Sequence, residues 1–168
     1  MNIALIIGKK NSVGVPGKNI REIVGRPAAE YAFIAAKYSG ADKIYVSTDS
    51  DAIAKIGKPY GAIHIIRPHE LATQDALTED ALLHAYNFIK KDVGDIDIKT
   101  ISLLFCNNPA INVDLLREAI EFTTTTKEYD SCFSVAKYDM FSPARARMLN
   151  EFGEIKSFVG LEHLDNVS

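Results

Sequence analysis

Ile3-Ala4-Leu5-Ile6-Ile7 is a short, unbroken apolar run that passes through Gly8 into Lys9-Lys10-Asn11-Ser12-Val13-Gly14-Val15-Pro16-Gly17-Lys18-Asn19. An apolar run without alternation is the pattern of a strand buried on both faces, as in a parallel sheet between helical layers. The segments that follow keep this grammar. Gly25-Arg26-Pro27 predicts a helix start, with Pro27 in the first turn and Tyr31, Ile34, Ala35 and Tyr38 on one face. Residues 43–47 read as the next strand, residues 49–58 as a short helix capped by Ser50 or Asp49, and residues 62–66 as a third strand. The clearest helix covers residues 77–90, with Ala81, Leu82, Ala85, Tyr86 and Ile89 on one face and Thr78 and Glu79 at its start. A strand over 101–105, a helix over 113–122 starting near Asn112 or Asp114, and a fifth strand over 131–135 complete the alternation. Strand–helix alternation of this kind predicts an α/β fold whose mostly parallel sheet is covered on both faces. Such sheets bind ligands beyond the carboxyl ends of their strands, which puts the loops after Ile7, Ser47, Ile66 and Phe105 on one rim.

The chain has 168 residues, the size of one ordinary domain with its own core. Hydrophobic residues make up 47% and charged residues 24%, a soluble globular balance. With 19 Lys and Arg against 22 Asp and Glu, the formal charge of −3 gives no broad basic face for nucleic acid or an anionic membrane. An anionic ligand must therefore be held by a local cluster. No apolar run is long enough to span a bilayer, and residues 1–8 are too short for a signal-peptide core and lack a basic start, so a cytoplasmic protein is expected. Cys106 and Cys132 form neither a disulfide framework nor a zinc pattern, and His64, His69, His84 and His163 have no metal spacing.

The loop from Gly8 to Asn19 combines flexible glycines, three lysines and the Ser12 hydroxyl, which are donors suited to a polyphosphate. It lacks both the Walker A and the G-x-G-x-x-G spacing, and its composition alone fits a solvated surface loop as well. Its wording is more telling. Ser12-x-x-x-Pro16-Gly17-Lys18-Asn19 after a first strand resembles the fingerprint of the acylneuraminate cytidylyltransferases, which make CMP-activated sialic and related nonulosonic acids. Gly25-Arg26-Pro27, Val46-Ser47-Thr48-Asp49, Tyr60-Gly61-Ala62, Arg67-Pro68-x-Glu70-Leu71-Ala72 and Asp130-Ser131 resemble further segments of that family, in order, from residue 3 to about 158.

The resemblance implies a three-layer, Rossmann-like nucleotidyltransferase fold forming a single domain over residues 1–168, without the family's C-terminal portion. It also implies transfer of CMP from CTP to an acidic 2-keto sugar, Mg²⁺ as cofactor, and a homodimer. Lys9 and Lys18 fall on catalytic phosphate-handling positions. Ser12 and Asn19 also fall on nucleotide-holding positions, and Arg67, Ala76 and Thr78 on positions around the cytidine. For Arg67 a structural ion pair, and for Thr78 a helix cap, are competing readings. Phe105, Asn107 and Arg145 fall on the acceptor-sugar side, with Arg147 a second basic candidate for the sugar's acid group. The chain departs from the pattern at Lys9-Lys10-Asn11, where the family has R-G-G, at Val13, where it has lysine, and at Phe105, where it has glutamine. Its late D-x-D metal pair has no counterpart here, so the metal ligands are unassigned; Asp49, Asp51 and Asp75 are the candidate carboxylates. A nucleotide-binding relative without the chemistry, or a nucleotidyltransferase of other specificity, remain alternatives.

Overall fold

The computed structural model describes residues 1–11, 14–135 and 146–157. The chain divides into two compact units, Met1–Cys132 and Phe133–Ser168. The first begins with β1 (Asn2–Ile7), the small hairpin β2 (Glu22–Ile23) and β3 (Arg26–Pro27), and α1 (Ala28–Tyr38). Then come β4 (Lys43–Thr48), α2 (Asp51–Gly57), β5 (Ile63–Ile66), α3 (Thr78–Val93), β6 (Thr100–Phe105) and α4 (Val113–Thr125).

Four strands form one sheet in the order β5-β4-β1-β6, every pair parallel. β1 lies inside it, Leu5 opposite both Tyr45 and Leu103, which is why its sequence is apolar without alternation. Because successive side chains point to opposite faces, β1 feeds two cores. Ala4 and Ile6 join Val46, Leu104 and Cys106 beneath α1, α2 and α4. Ile3, Leu5 and Ile7 join Tyr45 and Ile65 beneath Ala85, Ile89 and Val93 of α3. The result is the expected α/β fold in three layers, helices over both faces of a parallel sheet.

Three local expectations are corrected and two open alternatives are narrowed. Residues 131–135 form no strand, and Phe133 and Val135 stand 82% and 83% exposed. A pentapeptide becomes a strand only where a partner edge takes its amide groups, and none among the described residues does so. The buried face of α1 is Ala28, Ala29, Ala32, Phe33, Ala35 and Ala36, not the stripe through Tyr31 and Tyr38; alanines let the helix approach the sheet closely. Pro27 is the N-cap of that helix and also pairs in the hairpin with Glu22. Thr78 is the first residue of α3 but caps nothing, and of the two candidates before α2 it is Ser50, not Asp49, that accepts the Ile53 amide.

In the second unit, β7 (Arg147–Leu149) and β8 (Ile155–Ser157) pair as an antiparallel hairpin. The Asn150 side chain organises its turn by accepting the amides of Phe152 and Glu154.

Candidate functional site

The carboxyl ends of the four parallel strands put the segments after Ile66, Thr48, Ile7 and Phe105 side by side on one rim. Above them lies a cleft of about 710 Å³. Lys9, Lys18, Asn19, Arg67, Ala76, Thr78, Phe105 and Asn107 all line it, so eight of the residues given nucleotide or sugar roles from the sequence share one cavity. Ser12 and Arg145 lie outside the described residues. Lys10 and Asp51 line a neighbouring recess of about 490 Å³, with His64 and His69.

The loop after β1 is pinned at both ends. Gly8 donates its amide to the Ser47 carbonyl at 3.3 Å, and an added Cβ there would sit 2.6 Å from Cys106 Sγ, so the close approach of β1 to β6 requires glycine. At the other end Asn19 is 7% exposed, its Nδ2 donating to the Lys9 carbonyl at 2.9 Å and its own carbonyl accepting the Ala29 amide at 2.8 Å. Asn19 is thus spent largely on holding the loop to itself and to α1. Between these anchors Gly17 turns the chain at φ +69°, accepting the amides of Ile20 and Arg21, and Lys18 follows at the cleft wall. Lys9 Nζ reaches across to the Thr73 carbonyl at 2.8 Å.

Arg67 is 5% exposed, and both its side-chain hydrogen bonds go to Ser47: Nε to Oγ at 3.2 Å and Nη2 to the carbonyl at 2.7 Å. Among the described residues no ion pair includes it. Burial pulls its pKa down from the usual arginine value, while the charge of Asp49 works the other way. A buried guanidinium whose hydrogen-bond partners are neutral is not the structural ion pair that competed with a ligand role, and it leaves positive charge facing the cleft. Cys106 is fully buried and its thiol is pushed up to about 12 by that burial, which makes it a packing residue and no nucleophile.

Among the described residues the cleft therefore carries three cations, Lys9, Lys18 and Arg67, against one carboxylate, Asp49. Phe105, 45% exposed, offers an aromatic surface at the β6 edge. Residues not anticipated from the sequence also line it, notably Asn11, His69, Thr73 and Gln74. Only position would have revealed them, since Thr73 contributes a carbonyl that any residue carries. Among the described residues no group of three or more His, Cys, Asp or Glu could hold a metal ion, and Asp75 does not reach the cleft. No helix among them is long and apolar enough to cross a membrane.

The family model for cytidylyltransferases matches residues 3–156. The N-acylneuraminate cytidylyltransferase of Escherichia coli is 28% identical over 157 residues, covering 93% of this chain and 36% of that protein. The CMP-N,N'-diacetyllegionaminic acid synthase of Legionella pneumophila is 29% identical over 156 residues, 91% of this chain and 65% of its own. The pseudaminic acid cytidylyltransferase of Campylobacter jejuni is 25% identical over 160 residues, with shares of 94% and 67%. The chain thus spans about a third of the first relative's length and about two thirds of the other two. Among solved structures, a CMP:2-keto-3-deoxy-manno-octonic acid synthetase complexed with CTP superposes with a TM-score of 0.53 at 20% identity, over 71% of this chain and 46% of that one. A Mycobacterium tuberculosis protein, Rv0371C in complex with manganese, gives 0.51 at 13% identity, over 74% and 60%. These structural likenesses speak to the fold alone.

Proposed function

The chain belongs to the cytidylyltransferase family, and from that premise we propose that it transfers CMP from CTP to the hydroxyl of an acidic 2-keto sugar, a sialic acid or related nonulosonic acid. The observation that carries this reading is the convergence of Lys9, Lys18, Asn19 and Arg67 on one cleft at the carboxyl rim of a parallel sheet. In the proposed reaction the acceptor oxygen attacks the α-phosphorus in line. The new O–P bond forms as the bond to the β-phosphate oxygen breaks, pyrophosphate leaves, and the hydroxyl proton passes to solvent. The chain's part is positioning and charge neutralisation. Lys9 and Lys18 meet the phosphate oxygens, Lys9 exchanging its neutral Thr73 carbonyl for a charged partner. Asn19, Arg67, Ala76 and Thr78 surround the nucleoside, and Phe105 and Asn107 face the acceptor.

A divalent cation belongs to this proposal, Mg²⁺ in our reading, supported by the family and by the manganese complex of a fold neighbour. The described residues do not build a protein-held site for it: the cleft's one carboxylate, Asp49, has Oδ1 committed to the Lys10 amide.

The test is calorimetric titration of wild type and Lys18→Ala with CTP, ATP, GTP and UTP in Mg²⁺, followed by pyrophosphate release with nonulosonic acids. Selective CTP binding, weakened roughly tenfold or more in Lys18→Ala as for a lost charged hydrogen bond, is the expected result. CTP binding without pyrophosphate release from any acid sugar would leave a nucleotide-binding relative; absence of nucleotide binding would overturn the reading.

A further inference from the structure

The two polar arms of the cleft are fastened to one segment, residues 47–49. Ser47 accepts the Gly8 amide through its carbonyl and holds the Arg67 guanidinium through carbonyl and hydroxyl. Thr48 accepts the Arg67 amide at 3.1 Å. Asp49 accepts the Lys10 amide through Oδ1 at 2.7 Å, and its charge offsets the effect of burial on Arg67. The end of β4 is thus the common mount of the loop after β1 and of the arginine after β5. Ser47 and Thr48 make their links to neighbouring backbone with their own carbonyls, which side-chain replacement leaves in place. Of the three, Asp49 alone mounts the loop with a side chain.

Resting on the nucleotide reading of the cleft, we propose that Asp49 is a positioning residue for nucleotide binding. It acts through the Lys10 amide and Arg67 rather than as a metal ligand or a helix cap. An ionised carboxylate on a backbone amide is a strong, short hydrogen bond, and here it fixes the chain between Lys9, which faces the cleft, and the loop beyond. Without it the described part of the loop is held at Gly8, at Asn19 and by the Lys9–Thr73 bond, and Lys9 no longer meets a phosphate in one geometry. Asp49 does not cap α2, because Ser50 fills that place.

The experiment compares wild type, Asp49→Ala and Asp49→Asn by CTP titration with and without Mg²⁺, and by amide hydrogen exchange of the ligand-free proteins. Asp49→Ala should weaken CTP binding by roughly ten- to a hundredfold and speed exchange at Lys10, while β1 stays protected. Asn keeps an acceptor oxygen but not the charge, so Asp49→Asn should recover part of the affinity and of the slow exchange and retain the dependence of binding on Mg²⁺. If instead Asn is as damaging as Ala and the Mg²⁺ dependence disappears, Asp49 is a metal ligand and the proposal is wrong. Unchanged exchange at Lys10 in Asp49→Ala would also overturn it. Were wild type to bind no CTP, the nucleotide reading would fall separately, while exchange would still decide whether Asp49 mounts the loop.

Discussion

Replacing Gly8 by alanine tests the geometry that brings the rim together. Its added methyl would lie 2.6 Å from Cys106 Sγ, 2.9 Å from Cys106 Cβ and 3.2 Å from Ile53 Cδ1. Neither neighbour can retreat cheaply. Cys106 is fully buried and its amide is bonded to the Ile7 carbonyl at 3.0 Å; Ile53 is 1% exposed within the core under α1 and α2. Overpacking of this kind costs about 1–3 kcal/mol. For a domain of this size that lowers the melting midpoint by roughly 2–4 °C per kcal/mol. The strain is also relieved at Lys9, the next residue, so CTP affinity should fall together with stability. Urea or thermal unfolding gives the first quantity and calorimetry the second. Cys106→Ala provides the control: it removes the sulfur, so the double variant should be more stable than the sum of the single losses by at least about 0.5 kcal/mol. A Gly8→Ala protein as stable as wild type, or losses that simply add, would refute the close packing of β1 on β6 at this point.

Ser50→Ala should destabilise α2 by about 1 kcal/mol or somewhat less, since its bond to the Ile53 amide is long at 3.4 Å, and Ser50→Asp should retain the cap; chemical denaturation measures both. A thiol reagent should modify the exposed Cys132 quickly in the native protein and reach Cys106 only as the core opens. Burial raises the Cys106 thiol from its ordinary 9.0 to about 12, so its share of stability is fully present below pH 9 and is lost as pH rises through about 12. Unfolding free energy should accordingly fall less steeply over that alkaline window in Cys106→Ala than in wild type.

How far the sequence disclosed this molecule depends on what each element rests on. β1 was legible because a strand buried on both faces needs apolar residues at every position, and Ile3 to Ile7 supply them. α3 was legible from Ala81, Ala85 and Ile89 at helical spacing. The hairpin at Glu22–Pro27 was not, because two-residue strands carry no period, and its turn uses Val24 at φ +50°, a position sequence rules assign to glycine or asparagine. The packing face of α1 was misread because its alanines are weak hydrophobic signals beside tyrosines that lie nearer the surface. The cleft was found through the strand-end rule and the motif resemblance together. Its internal wiring was hidden: the Lys9–Thr73 bond joins residues 64 apart and ends on a carbonyl, about which residue type says nothing.

The wiring itself separates a binding site from a merely stable surface. Among the described residues three cations outside the cleft are paired with carboxylates: Lys43 with Asp92, Arg117 with Asp114, Lys156 with Glu154. In the cleft, Lys9 is bonded to a carbonyl and Arg67 to a carbonyl and a hydroxyl, and among the described residues no ion pair includes either of them or Lys18. Selection for stability alone does not favour a buried guanidinium whose hydrogen bonds all go to neutral groups, because its desolvation is then offset only in part, here by the charge of Asp49. A phosphate arriving at a salt-bridged lysine must first displace a carboxylate of similar strength. One arriving at Lys9 displaces only a neutral oxygen, and charge-assisted bonds are roughly twice as strong as neutral ones. The same arrangement predicts that Thr73→Ala, which preserves the carbonyl, leaves CTP affinity unchanged. Lys9→Met, which preserves the stem but removes the charge, should lose affinity while unfolding close to wild type. Equal losses of stability and affinity in Lys9→Met would mean that Lys9 is there to hold the Thr73 segment and not to meet an anion.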